Sequence, residues 1–291
     1  MRILVLGGDG MLGHRLLQTI GERHEVRVTL RSELQAYAAY GLFDADNSYD
    51  GIDARSPDAL SRVLADYRPQ AVVNCIGIVK QRRAAADAIA SLEINALFPH
   101  RLSLMCRMVD ARLIHLSTDC VFSGERGAYT EDDLPDADDL YGRSKLLGEV
   151  GGPGAITLRT SIIGTELSRR SSLIEWYLAQ RGTIKGYTRA IYSGFTTQQM
   201  ARIIEHLLVV HPGLSGIWHV AAASISKHDL LCRLGRLLDR RDVAIEPDDS
   251  FVCDRSLNGE RFAKATGCRA PSWDQMLTEL AAAIVARQRS E

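Results

Sequence analysis

The chain has 291 residues, 46% of them apolar, and carries 35 Lys and Arg against 36 Asp and Glu for a formal net charge of −1. It can bury a full core in one large or two modest domains, and its balanced charge excludes a strong electrostatic attraction to a nucleic-acid backbone or an anionic membrane. Six cysteines are scattered without a CxxC pair, several in apolar stretches, so reduced thiols, no metal site and a cytoplasmic location are expected. The apolar run after Arg2 is too short for a signal segment or a membrane span.

In chain order, RILVL reads as a first strand, and Met11 to Ile20 reads as a helix because Leu12, Leu16, Leu17 and Ile20 share one face. VRVTL is the next strand. Ser56 and Pro57 look like the cap and first residue of another helix. AVVNCIG, RLIHLS and AITLR follow as strands. Apolar runs alternating with helical patterns predict a doubly wound α/β fold, a parallel sheet with helices on both faces. Beyond residue 165 the pattern loosens, then gives a helix from Gln198 to Val210, a strand near GIWHVA, and helices around Lys227 to Leu238 and Trp273 to Ala286. The acidic and polar stretch EPDDSFVCDRSLNGE joins the last two.

The first strand runs into GGDGMLG, which places Gly7, Gly10 and Gly13 at three-residue spacing where the helix begins. A tight turn, a close backbone approach to a diphosphate and close helix–strand packing each require a residue without a side chain. The amide groups around Met11 and Leu12, at the helix start, add positive potential. The loop therefore points to a dinucleotide. An acid at the end of the second strand would accept the ribose hydroxyls of NAD, whereas Arg31 suits a 2′-phosphate. NADP(H) is favoured, and Glu33 keeps NAD possible.

In DDLYGRSKLLGEV, Tyr141 and Lys145 lie four residues apart, on one face of a helix. A cation about 4 Å from a phenol, at an effective dielectric near 20, contributes roughly 4 kcal/mol, which would lower the phenol by up to about 3 pH units toward neutrality. The lysine's other donors would remain for a ribose. The strand RLIHLS ends in Ser117 and Thr118 at the expected carboxyl edge of the sheet, where open α/β sheets bind ligands. Thr118 could therefore polarise a carbonyl beside Tyr141.

GGDGMLG, STDCVFSGERGAYTEDD and YGRSKLLGE, in that order, resemble the extended short-chain dehydrogenase/reductases, closest to the dTDP-4-dehydrorhamnose reductase branch. LRTSIIG, SGFTT and GIWHVAAASISKHDLL extend the likeness more weakly. The resemblance implies a Rossmann-like domain of residues 1–165 plus about 195–222, and a smaller C-terminal α/β substrate domain of 166–194 plus 223–291. Thr118, Tyr141 and Lys145 match the catalytic trio, and Asn95 matches a helix asparagine that holds a water in the proton path. Asp53 matches an acid near the adenine; Cys75, Ile76 and Gly77 match the backbone that skirts the cofactor.

The implied activity is NADPH-dependent reduction of the keto group of a nucleotide-activated 4-keto-6-deoxy sugar, with Lys80, Arg189 and Arg255 as candidates for the substrate's diphosphate and a homodimer as a possible assembly. The residues depart from the branch at Val79 to Arg83, which are basic in part, and at Cys120, which replaces a tyrosine. Related dehydratases need an Asp-Glu pair where this chain has Asp119 and Cys120, and a thiol does not easily replace that acid. Related epimerases usually carry an acid where Arg31 stands. A non-catalytic role also remains open, because the regulatory subunit of methionine adenosyltransferase keeps the same Tyr-x-x-x-Lys pattern.

Overall fold

The computed structural model describes residues 1–79, 87–168 and 170–290. Its strands are β1 (Arg2–Leu6), β2 (Glu25–Thr29), β3 (Ser48–Tyr49), β4 (Ala71–Asn74), β5 (Arg112–Leu116), β6 (Ala155–Arg159), β7 (Ile162–Ile163), β8 (Gly182–Tyr187), β9 (Ala190–Tyr192), β10 (Phe195–Thr196), β11 (Gly216–His219), β12 (Ile225–Ser226), β13 (Val243–Asp248) and β14 (Cys253–Asp254). The helices are α1 (Gly13–Ile20), α2 (Pro57–Tyr67), α3 (Ala88–Ser91), α4 (Phe98–Met108), α5 (Leu140–Leu147), α6 (Leu173–Ala179), α7 (Thr197–Val209), α8 (Lys227–Leu237), α9 (Glu260–Thr266) and α10 (Trp273–Ser290). A π-helical turn, Leu92–Leu97, joins α3 to α4.

Seven strands form one sheet in the order β11-β6-β5-β4-β1-β2-β3, every pair parallel. The chain order reverses between β1 and β4, which opens a crevice at their carboxyl ends. Strand alternation divides β1 between two cores: Ile3 and Val5 pack with Leu16 and Ile20 of α1 and with α7, while Leu4 and Leu6 pack with Leu60 and Leu64 of α2 and Leu102 of α4. Both faces are covered, which is why β1 and β4 read as continuous apolar runs.

Helix α1 starts at Gly13, two residues later than the apolar spacing suggests, because Met11 and Leu12 belong to the glycine loop. α2 begins as expected, with the Ser56 hydroxyl accepting from the Ala59 amide at 3.3 Å and Pro57 in the first turn. The two-residue strand β3 and the seven-residue helix α9 carry too little periodic pattern to be read from sequence.

The remaining strands form small sheets. β8 pairs parallel with β13, β9 lies between β12 and β14, and β10 pairs with β7. The segment Cys253 to Leu257 docks on the loop after β5: Asp254 donates its amide to the Gly124 carbonyl at 2.7 Å, Ala128 donates to Ser256 Oγ at 2.8 Å, and Tyr129 bridges Leu257. Among the described residues, no helix is long and apolar enough to cross a membrane, and all six cysteines are free.

Candidate active site

The crevice between β1 and β4 is lined by two turns in contact. Gly7 has a φ of +82°, and a side chain on it would meet Ile76 Cγ1 at 3.0 Å. At Gly13 a Cβ would stand 2.1 Å from the Gly7 carbonyl oxygen, so the helix can start this close to the strand only on glycine. The Gly7 and Gly8 amides donate to Thr29 Oγ1 and the Thr29 carbonyl, and Gly10 donates back to Gly7. Met11 and Leu12 donate to no backbone carbonyl among the described residues. This cradle fits a dinucleotide diphosphate.

Gly8 is a requirement that the three-residue spacing does not reveal. A Cβ there would lie 2.5 Å from Val28 Cβ. Its signal is the doubled glycine directly after the strand.

Arg31 lies just past β2, exposed, and makes no salt bridge among the described residues. It is available to a phosphate on that side. Asp53 is near enough to feel Arg31, but its carboxylate is gripped by Arg55, with contacts of 2.6 to 3.1 Å, and this pairing holds Asp53 down to about 2. Cys75, Ile76 and Gly77 follow β4 on the opposite wall, with the Cys75 amide bonded to the Leu6 carbonyl at 3.1 Å.

Thr118 follows β5 and starts a short 3-10 turn, its hydroxyl accepting from the Cys120 amide at 3.1 Å. α5 begins at the Asp139 cap, whose carboxylate accepts from the Gly142 amide at 2.7 Å. Gly142 lets the helix press against that turn, since a Cβ there would sit 2.2 Å from the Cys120 carbonyl oxygen. This contact brings the Thr118 hydroxyl to the Tyr141 phenol, where it lowers the phenol's pKa.

The expected tuning of Tyr141 by Lys145 is not what the structure contains. Burial, followed by Cys120, pushes the phenol well above its ordinary value. Lys145, 5% exposed, points beneath the helix and donates to the Leu116 carbonyl at 2.6 Å. Its own burial lowers it from 10.5 to about 8, against opposing pulls from Glu149 and Cys75. Residues four apart share a helix face, yet a long side chain can still turn toward the sheet.

Asn95 sits inside the π-helical turn, 1% exposed. Its Oδ1 accepts from the Ile78 amide at 2.9 Å, and its Nδ2 donates to the Ile78 carbonyl at 3.0 Å and to Ser144 Oγ at 3.2 Å. The side chain thus joins the loop after β4 to α5, leaving one Oδ1 lone pair for a solvent molecule.

Sequence reasoning missed a buried network under this site. Arg159, at the end of β6, grips Glu149 through two bonds of 2.8 and 2.7 Å, both side chains nearly inaccessible. Glu149 also accepts from Ser117 Oγ at 2.7 Å, and Arg159 meets His219 Nε2 at 3.2 Å. The signal was an acid four residues past Lys145 and an arginine closing an apolar strand, neither of which could stay buried alone.

The three diphosphate candidates separate. Arg255 is half-buried, donates from Nε to the Phe122 carbonyl at 2.8 Å, and places Nη1 3.9 Å from Cys120 Sγ, so it reaches the turn that holds Thr118. Arg189 is exposed at the entrance to β9, its carbonyl accepting from the Cys253 amide at 3.1 Å. Lys80 lies outside the described residues. Burial and the neighbouring Asp119 carboxylate push the Cys120 thiol up to about 12, which leaves it a neutral thiol.

A seven-stranded parallel sheet, a glycine cradle at its switch point, and a Tyr-x-x-x-Lys helix beside a strand-end threonine define an extended short-chain dehydrogenase/reductase. Within that class the chain belongs to the family described as RmlD substrate binding domain, which matches residues 1–285.

It is 31% identical over 265 residues to a probable dTDP-4,6-dihydroxy-2-methyloxan-3-one 4-ketoreductase of Streptomyces antibioticus, covering 85% of this chain and 80% of that one. It is 25% identical over 174 residues to methionine adenosyltransferase 2 subunit beta of Rattus norvegicus, covering 58% and 48%. In structure it resembles dTDP-4-dehydrorhamnose reductase from Bacillus anthracis in complex with NADP, with a TM-score of 0.76 at 20% identity over 96% of this chain and 98% of that one.

Proposed function

We propose that the protein reduces the keto group of a nucleotide-activated 4-keto-6-deoxy sugar with NADPH. The observation that carries this reading is the Thr118 hydroxyl set against the Tyr141 phenol at the carboxyl edge of the sheet, across the crevice from the glycine cradle. Bound in the cradle, NADPH supplies the hydride. The amides of the glycine loop hold its diphosphate, Arg31 its 2′-phosphate, and Asp53 stands toward the adenine. Lys145 has two protons left after its bond to Leu116 and can orient the nicotinamide ribose.

Thr118 and Tyr141 converge on the substrate carbonyl oxygen and stabilise the charge that develops there. Because burial keeps the phenol protonated at neutral pH, Tyr141 begins the reaction as an acid, as a reduction requires. Asn95 holds the wall and offers its remaining lone pair to a water that can resupply the proton. Arg255, beside Cys120, receives the substrate's diphosphate; Arg189 assists from the neighbouring strand. The segments 166–194 and 223–291 form the sugar-nucleotide side of the cleft. A homodimer is the assembly proposed.

The test is Tyr141→Phe, which removes one hydroxyl. The expected result is a loss of about 10² to 10⁴ in kcat with little change in the NADPH dissociation constant. Near-parental turnover would remove Tyr141 from the role of proton donor.

The similarity to the beta subunit of methionine adenosyltransferase 2 favours a second reading, a cofactor-binding subunit without turnover. NADPH oxidation with a panel of 4-keto-6-deoxy sugar nucleotides separates the two. An epimerase reading is disfavoured by Arg31.

A further inference from the structure

Two aromatic rings at the far end of the candidate substrate side are left partly in solvent. Tyr187 closes β8 and Phe251 lies in the short loop between β13 and β14; their ring centroids are 5.1 Å apart at 49°, and they keep 38% and 46% of their surface exposed. The loop that carries Phe251 is held in shape. Asp248 accepts from the Ser250 amide at 2.9 Å and pairs with Lys185 at 3.2 Å.

The two segments run side by side from this pair toward the active site. Thr188 donates its amide to the Asp248 carbonyl at 2.9 Å, Cys253 donates to the Arg189 carbonyl at 3.1 Å, and Cys253 pairs with Ala190. In extended chain, alternate residues share a face. Phe251, Cys253 and Arg255 are spaced in that way, and Arg189 follows Tyr187 across the bend at residues 188–189. Cys253 Sγ and Arg255 Cγ both lie within 3 Å of the position a Cβ on Gly124 would take, so at least these two do face the same side. Asp254 turns the other way, its carboxylate against Gly127. From Phe251 to Arg255 is four residues, about 13 Å at ~3.3 Å per residue. That matches the reach of a diphosphate and a ribose.

We infer that Tyr187 and Phe251 form a stacking platform for the base of the nucleotide-activated sugar, with Arg255 and Arg189 between it and the reacting carbonyl. The inference rests on the ketoreductase reading. A flat, uncharged nucleobase suits the paired rings, because stacking needs only a π-face, and the arginines beside them supply the charge that the diphosphate demands.

The experiment measures binding of dTDP, UDP and inorganic pyrophosphate to the NADPH-saturated protein by calorimetry, for the parent, Phe251→Ala, Tyr187→Ala and Phe251→Trp. The parent should bind a nucleoside diphosphate more tightly than pyrophosphate. Each alanine variant should weaken nucleotide binding at least about fivefold while leaving pyrophosphate unchanged, and Phe251→Trp should retain nucleotide affinity.

Unchanged nucleotide binding in both alanine variants overturns the platform, and so does a parent that binds pyrophosphate as tightly as the nucleotides. A parent that binds NADPH but none of the three probes overturns the sugar-nucleotide reading beneath it. Both rings are exposed at loop and strand ends, so thermal melts and NADPH affinity should match the parent and show that the variants are folded.

Discussion

Lys145→Met should make the protein more stable at neutral pH while abolishing turnover. The lysine is 5% exposed, and its ammonium has one backbone acceptor, the Leu116 carbonyl. Its fall from 10.5 to about 8 corresponds, at about 1.4 kcal/mol per pH unit, to about 3 kcal/mol of unfavourable burial when charged. Methionine fills similar volume without charge, and the lost hydrogen bond returns about 1 kcal/mol to the debit side. A net gain of about 2 kcal/mol at pH 7 is therefore expected, several degrees in Tm for a chain of this size.

The sign can be checked with pH. Between about 8 and 10.5 the unfolded lysine is protonated and the folded one is not, so the unfolded state binds more protons and the parent's stability rises with pH through that window. The methionine variant lacks this rise. Urea denaturation of both proteins at pH 7, 8, 9 and 10 should show the variant ahead at pH 7 and the gap closing toward pH 10. A variant less stable than the parent at pH 7, or a gap independent of pH, would refute the reasoning and mean that Lys145 is held by compensating charge, Glu149 being the nearest candidate.

Arg31→Ala should erode a preference for NADPH over NADH by about ten- to a hundredfold, read from the two dissociation constants, since a charge-assisted contact is worth about 1.5 to 3 kcal/mol; equal affinities in the parent would remove the basis for it. Gly8→Ala should destabilise the fold by about 1 to 3 kcal/mol, because the added Cβ would lie 2.5 Å from Val28 Cβ. A denaturation midpoint unchanged by Gly8→Ala would show that the loop yields instead.

What was legible in the sequence follows from how local its cause is. β1 and β4 are buried on both faces and carry apolar runs, β5 and β6 interrupt theirs only with the buried His115 and Thr157, and the Ser56-Pro57 start of α2 needs only neighbouring residues. β3, two residues long, exists because β2 offers an edge, and no pattern within Ser48 and Tyr49 announces it. At the site, Thr118 and Tyr141 could be brought together on paper because both sit at predictable element ends. Lys145 could not be aimed, since four rotatable bonds separate its backbone from its charge. Glu149 and Arg159 are ten residues apart, and each looks like an ordinary surface residue until the other is placed beside it.

On the proposed reading, chemistry and specificity occupy different parts of the chain, and the same network gives a reason. Ser117, Glu149, Arg159 and His219 form a linked set of buried polar groups behind the carboxyl ends of β5 and β6, with burial holding His219 below its ordinary value. Removing either Glu149 or Arg159 would leave the other charged and unpaired in the interior. Thr118 follows Ser117 of this set directly in the chain. Arg255, Arg189, Tyr187 and Phe251 belong to loops and short strands that touch this platform through backbone bonds to Gly124 and Tyr129. Those side chains can be exchanged without disturbing the buried set. A new sugar nucleotide would therefore be accommodated by substitution in the 187–189 and 249–255 segments, with Thr118, Tyr141 and Lys145 unchanged.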